Sequence, residues 1–258
     1  MKKLSIIICG WNNWKYTAKC LSHIFKSTYS KENYDIIFID NASSDKTEIL
    51  LTYLVEQGEP IVYLKQKENM GFVKGNNIGW KVAQTPYVLL LNNDAFVQEK
   101  CIESMMEIIE SDQKIGAVGA IEYTLDGIPT KGDKPFIFFK PKVLLDPELK
   151  SLEELGYKDM PKFVDVDIVG SACSIVRKDA LKGKDIFDER YHPAHYDQED
   201  AWMQIKHVNG YRIVMPVYGV VFKHKIAATT SQNLKLYEEV LKVNKQKFLD
   251  KWLTEVKQ

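Results

Sequence analysis

The chain has 258 residues, 45% of them apolar, with Lys+Arg and Asp+Glu balanced at 35 each. That length holds one large α/β domain, or one domain with a small appended part, around a substantial core. The charge balance excludes a general nucleic-acid-binding surface, and four scattered cysteines with no C-x-x-C pair exclude a zinc signature or a disulfide framework. Cys9 and Cys173 fall in apolar runs and read as small core residues, which suits a reducing compartment.

Lys2-Lys3 before an apolar run resembles a signal peptide only superficially, because Asn12, Asn13 and Lys15 interrupt the run and no small-residue cleavage site follows. No stretch approaches the ~18 apolar residues of a spanning helix. The expectation is a cytoplasmic protein, with peripheral membrane contact left open.

The first half reads as repeated strand–helix units. Strands are predicted at 4–9, 34–39, 61–64, 87–91 and 115–121, with helices at 14–25, 47–55, 71–83 and 101–109. This alternation predicts an α/β fold with a mainly parallel sheet flanked by helices. From 125 to 162 the pattern dissolves into Pro, Gly, Lys and Asp around Phe136-Ile-Phe-Phe139, and reads as an acceptor-side excursion. Strands return at 164–169 and 172–176, a helix at 198–208 ended by Asn209-Gly210, then strands at 211–215 and 219–222. An amphipathic helix over 234–256 either packs on the domain or serves a membrane surface or dimer contact.

The most informative run is Tyr87-Val-Leu-Leu-Leu91 followed by Asn92-Asn93-Asp94. A buried parallel strand that stops at two amides and a carboxylate delivers them where open α/β sheets bind ligands. A carboxylate there can hold a hard cation against phosphate oxygens; alone, the same triplet reads equally as a turn. Gly10-Trp11-Asn12-Asn13 and Asp40-Asn41 end the first and second strands and converge on the same rim. Asp40 either accepts from a base N–H or caps the following turn. The sequence lacks both G-x-G-x-x-G after its first strand and G-x-x-x-x-G-K-[ST], which disfavours a dinucleotide dehydrogenase and a P-loop NTPase. The stretch Gly71-Phe-Val-Lys74-Gly75-Asn76-Asn77-Ile-Gly79 offers backbone amides and Lys74 to a nucleotide.

Ser5-Ile-Ile-Ile-Cys-Gly-Trp-Asn-Asn13, Ile39-Asp-Asn-Ala-Ser-Ser-Asp45 and Asn69-Met-Gly-Phe-Val-Lys-Gly-Asn-Asn-Ile-Gly79 together resemble family 2 inverting nucleotide-sugar glycosyltransferases of the GT-A fold. Leu91-Asn-Asn-Asp94 takes the place of that family's D-x-D. The likeness continues through Gly170-Ser-Ala172, Phe187-Asp-Glu189, Glu199-Asp200 and Asn209-Gly-Tyr-Arg212, with a gap over 125–162. It implies a nucleotide-binding half at 1–124, an acceptor-side half with a small antiparallel part at 125–230, and a C-terminal helix at 231–258.

The resemblance also implies roles. Gly10, Trp11 and Asn12 would line the nucleoside pocket with Asp40 at the base, and Asn69, Lys74 and Asn77 near it. Asn93 would lie toward the ribose, with Asn92 also among the nucleotide-binding residues. Asp94 and His224 would hold Mn²⁺ or Mg²⁺, and Asp200 of the Glu199-Asp200 element would be the general base, with Asp197 its competitor. The donor would be a nucleotide-diphospho-sugar, of UDP or dTDP type on the strength of Asp40, with guanine not excluded. The acceptor would be a hydroxyl of a glycan or lipid-linked glycan.

Amides at 92 and 93, where carboxylates are common, predict that the cation binds tightly only with the nucleotide diphosphate. Lys74, Lys223 or Lys225 could instead neutralise the diphosphate without metal. Two other readings stand beside this one: a sugar-nucleotide pyrophosphorylase, which lacks its phosphate loop here, and a silent nucleotide-sugar-binding module, which the presence of Asp94, Asp200 and His224 disfavours.

Overall fold

The computed structural model describes residues 2–125, 162–217, 219–225 and 234–255. The excursion read between 125 and 162 lies almost wholly outside the described residues. An apolar run of Leu and Ile makes β1 (Leu4–Gly10), buried along nearly its whole length, and helix α1 (Trp14–Phe25) follows. Then come β2 (Tyr34–Asp40), α2 (Thr47–Glu56), β3 (Ile61–Lys65), α3 (Gly71–Val82), β4 (Tyr87–Leu91), β5 (Ala95–Val97), α4 (Cys101–Ser111), β6 (Ile115–Gly119) and β7 (Ile121–Thr124). After the undescribed segment stand β8 (Phe163–Asp165), β9 (Cys173–Arg177), α5 (Asp197–Met203) with a π-helical continuation over Gln204–Val208, β10 (Arg212–Pro216), β11 (Val221–His224) and α6 (Leu234–Glu255).

Eight strands form one sheet in the order β3-β2-β1-β4-β9-β6-β10-β8. Neighbours β3, β2, β1 and β4 are parallel, β9 runs antiparallel between β4 and β6, and β8 is an antiparallel edge. The order reverses between β1 and β4, and in open α/β sheets ligands bind beyond the carboxyl ends of the strands at such a point. A second sheet, β5-β11-β7, stands beside it.

The predicted strand at 115–121 is in fact two. It breaks at Ala120, whose N–H bonds Cys173 O, and β7 leaves for the small sheet. The segment predicted at 164–169 shortens to β8, and the last strands shift to β10 and β11.

Helix α3 lies unusually close to the sheet, and its glycines are the reason. A Cβ on Gly75 would overlap Cys9 Sγ, and one on Gly79 would sit 2.7 Å from Ile7 Cγ2 and 2.8 Å from Ile39 Cδ1. Gly79→Ala is expected to cost up to about 2 kcal/mol in urea unfolding. Overpacking of roughly 1–3 kcal/mol exceeds the ~1 kcal/mol that alanine gains in helix propensity.

Beyond the other ends of the strands lies a surface cleft of about 510 Å³ lined by Lys3, Tyr87 and Arg177. Arg177 spends its donors there on the carbonyls of Ile109, Asp112 and Ile115, so it caps α4 and is not offered to a ligand.

Candidate active site

The loop after β1 is built on left-handed backbone at Asn12 and Asn13, φ 57° and 60°, a conformation asparagine tolerates better than most residues. Asn12 accepts the Ser44 N–H at 2.8 Å and gives its own N–H to Ser43 Oγ at 2.7 Å, which knits this loop to the one after β2. Asp45 completes the join by accepting the Trp14 N–H at 2.9 Å, and so caps α1 from a distance. Asp40 is fully buried. Its two oxygens take the Ser43 N–H at 2.8 Å and the Tyr63 O–H at 2.7 Å. Burial, with Asp40 beside it, pushes the Tyr63 phenol well up.

Several residues assigned to the nucleotide are engaged with the protein. Asn77 gives both amide atoms to the Phe187 backbone, at 2.8 and 3.0 Å, and is buried away from the rim. Gly75 and Gly79 of its motif serve the close approach of α3 to the sheet. Asn69 accepts the Gly71 N–H at 2.9 Å. Gly10 is buried, with Phe38 and the Asn93 amide crowding the space a side chain would fill. Asn93 donates to Thr17 Oγ1 at 3.1 Å. Trp11 and Lys74 remain half-buried at the rim. Burial and then the charge of Lys74 hold the His192 imidazole below its ordinary range.

The small sheet gathers the cation candidates. Asp94 precedes β5, and β11 pairs with β5 so that His224 stands opposite Ala95. His224 Nε2 lies 3.1 Å from Asp94 Oδ1 and 3.3 Å from the Asn92 amide, while its Nδ1 lies 2.6 Å from Glu122 Oε1. Burial opposes charge on this imidazole, but hydrogen bonds to Asp94 and Glu122 outweigh it and raise its pKa to about 9. The residues fit a hard divalent ion. Adjacent donors of an octahedral ion with ~2.1 Å bonds stand roughly 3.0 Å apart, close to the 3.1 Å seen here. Among the described residues no three His, Cys, Asp or Glu side chains converge as a ligand set.

Helix α5 joins the same rim. Asn92 N–H bonds Ala172 O at 3.0 Å and Ser171 N–H bonds Gln198 Oε1 at 3.1 Å, so the β4 end and the α5 start share one loop. Asp197, Glu199 and Asp200 in the first turn of α5 are all buried. Asp200 faces α6. It accepts the Tyr191 O–H at 3.1 Å and the Trp252 Nε1–H at 2.8 Å, and Lys251 Nζ lies 2.8 Å from Oδ1 and 2.9 Å from Oδ2. Asn244 and Lys247, on the same stripe of α6, donate to the carbonyls of Tyr191, Ala194 and Arg190. Sequence reasoning missed Tyr63, Glu122, Tyr191, Lys251 and Trp252, none of which stands in a motif.

A mostly parallel sheet whose strand order reverses at β1 and β4, with a carboxylate–imidazole pair just past β4, defines an α/β protein of the GT-A fold. Residues 5–183 match the model of glycosyl transferase family 2, and the chain belongs to that family. It is similar to the glycosyltransferase GlyG of Streptococcus pneumoniae serotype 4, 27% identical over 116 residues that make up 45% of this chain and 38% of that protein.

Among solved structures it resembles the mannosyltransferase PcManGT of Pyrobaculum calidifontis in complex with GDP-Man and Mn²⁺. The TM-score is 0.64 at 15% identity, over 89% of this chain and 59% of that one. It also resembles S. aureus TarS 1–349 in complex with UDP-GlcNAc, with TM-score 0.60 and 18% identity over 86% and 58%. The match covers about two fifths of GlyG and about three fifths of the solved chains. Among the described residues, no helix is long and apolar enough to cross a membrane.

Proposed function

We propose that the chain transfers a glycosyl group, with inversion, from a uridine- or thymidine-diphospho-sugar to a hydroxyl of a glycan or lipid-linked glycan. The observation that carries this is the Asp94–His224 pair just beyond the carboxyl end of β4, spaced as two neighbouring ligands of one divalent ion. The solved relatives bound to GDP-Man with Mn²⁺, or to UDP-GlcNAc, support a nucleotide-sugar donor and a cation.

In this reading Asp94 and His224 hold Mn²⁺ or Mg²⁺, which when bound neutralises charge gathering on the leaving diphosphate. The Asn12 and Asp40 loops, locked through Ser43, Ser44 and Tyr63, shape the nucleoside side, with Trp11 and Lys74 on the rim. Asp200 takes the proton of the acceptor hydroxyl as its oxygen bonds the anomeric carbon and the bond to the diphosphate breaks on the opposite face. To do so it exchanges one of its donors from α6 or Tyr191 for the acceptor hydroxyl.

Thermal shift with UDP, dTDP and GDP, each with and without Mn²⁺, tests the reading. At a hundredfold excess over Kd the linkage gain of about 2.7 kcal/mol is expected to raise Tm by roughly 5–10 °C for UDP or dTDP with Mn²⁺. Asp94→Asn is expected to lose the Mn²⁺-dependent part while keeping the rest. No shift with any nucleotide, with or without Mn²⁺, would overturn the assignment; a shift with GDP alone would move the donor class.

A further inference from the structure

Three short strands set an acid, an imidazole and a second acid in a line. β11 is the middle strand of its sheet, with β5 on one side and β7 on the other. Pairing sets His224 opposite Ala95, next to Asp94, and Phe222 opposite Glu122. The two ring nitrogens of His224 thus face different strands: Nε2 meets Asp94 Oδ1 at 3.1 Å, and Nδ1 meets Glu122 Oε1 at 2.6 Å.

An imidazole gives a cation one nitrogen only, and the hydrogen bond at the other decides which. A carboxylate at Nδ1 demands an N–H there, so Nε2 is the nitrogen left facing Asp94. Glu122 meets the ring nitrogen opposite the one that meets Asp94, so it is not placed as a third ligand beside Asp94 and His224. It stands behind the ring instead. The side chains of Asp94 and His224 are 9% and 10% exposed against 29% for Glu122, so the acid in the buried contact is Asp94 and the one nearer water is Glu122.

Building on the metal-assisted reading above, we propose that Glu122 is a positioning residue of the cation site. Its carboxylate holds the His224 Nδ1–H so that Nε2 is presented, beside Asp94, to Mn²⁺ or Mg²⁺. Carboxylates behind metal-bound imidazoles fix the tautomer and ring plane and strengthen the ligand, and their loss weakens metal binding about 10–100-fold. A purely structural Glu122 would support the fold of the small sheet and leave cation affinity where it was.

The test is an Mn²⁺ titration at saturating UDP, or GDP where UDP does not bind, read by the electron paramagnetic resonance of free Mn²⁺. The full chain is compared with Glu122→Ala and Glu122→Gln. Glu122→Ala is expected to weaken Mn²⁺ about 10–100-fold, and Glu122→Gln, which keeps an acceptor but loses the charge, by less. Nucleotide affinity in EDTA is expected to stay within about twofold in both, because Glu122 acts only through His224. Glu122→Gln carries the test if the alanine variant does not fold. Unchanged Mn²⁺ affinity in a folded variant overturns this inference and leaves the proposed function standing. A wild-type chain that binds nucleotide but no Mn²⁺ overturns both the inference and the metal-assisted part of that function.

Discussion

Asp200→Ala is expected to lower the stability of the chain by about 3–5 kcal/mol and to loosen α6 from the domain, because it removes one partner of a buried ion pair. The Lys251 and Asp200 side chains are only 12% and 5% exposed. Without the carboxylate, the Tyr191 hydroxyl and the Trp252 Nε1–H lose their acceptor, and Lys251 keeps Asp188 at 3.2 Å. Each stranded buried donor costs about 1–3 kcal/mol, so the surviving Asp188 contact sets the loss near the lower end of the range.

For a domain of this size about 3 kcal/mol is roughly 6–12 °C in Tm, measurable by calorimetry in metal-free buffer. Asp200→Asn keeps one oxygen for Trp252 and Tyr191 and is expected to lose only about 1–2 kcal/mol. That difference makes asparagine the variant that tests the base. If Asp200 takes the acceptor proton, Asp200→Asn is expected to bind UDP and Mn²⁺ as the wild type does while donor turnover falls about 10²–10⁴-fold. Near-normal turnover in a folded Asn variant, with loss in Asp197→Asn, would move the base to Asp197.

The sequence showed the parallel half plainly because its signal is local. Runs such as Leu4 to Ile8 and Tyr87 to Leu91 are buried on both faces, the pattern of a central strand covered by helices on both sides. Orientation is not local. The run Cys173–Arg177 reads the same in either direction, and only its pairing with β4 and β6 makes it antiparallel. β5, three residues long, is too short to carry a period at all. Its role is nonetheless large, since it joins Asp94 to a histidine 130 residues away.

Within the site, residues at strand ends were legible and those acting through others were not. Asp94 and Asp40 end apolar strands, where a carboxylate stands out. Glu122 sits alone in a strand, and an isolated acid there reads as a solvent face. Lys251 and Trp252 look like an ordinary amphipathic stripe, because a lysine gives no sequence sign that its charge turns inward toward Asp200. The Gly-rich opening of α3 carries a second use that its sequence does not show. Glycine permits close approach of any kind, and Gly75 and Gly79 use it against Cys9, Ile7 and Ile39 of the sheet.

The imidazole of His224 is expected to make the metal-free chain most stable at mildly acidic pH. Burial disfavours its charge, yet Asp94 and Glu122 together raise its pKa from 6.5 to about 9. A group whose folded pKa lies above its unfolded value contributes stability that is fully present below the unfolded pKa. That contribution is lost as pH rises through the folded one. The window therefore runs from about pH 6.5 to about pH 9. The whole shift corresponds to on the order of 3 kcal/mol, and little screening applies because the side chain is nearly buried.

Urea unfolding in EDTA at half-unit steps from pH 6 to pH 10 reads this directly when wild type is compared with His224→Gln. The stability difference between the two is expected to be largest near pH 6 and to shrink by about 2–3 kcal/mol by pH 10, because glutamine carries no proton to lose. Parallel curves across that range would mean that Asp94 and Glu122 do not hold a charged imidazole between them.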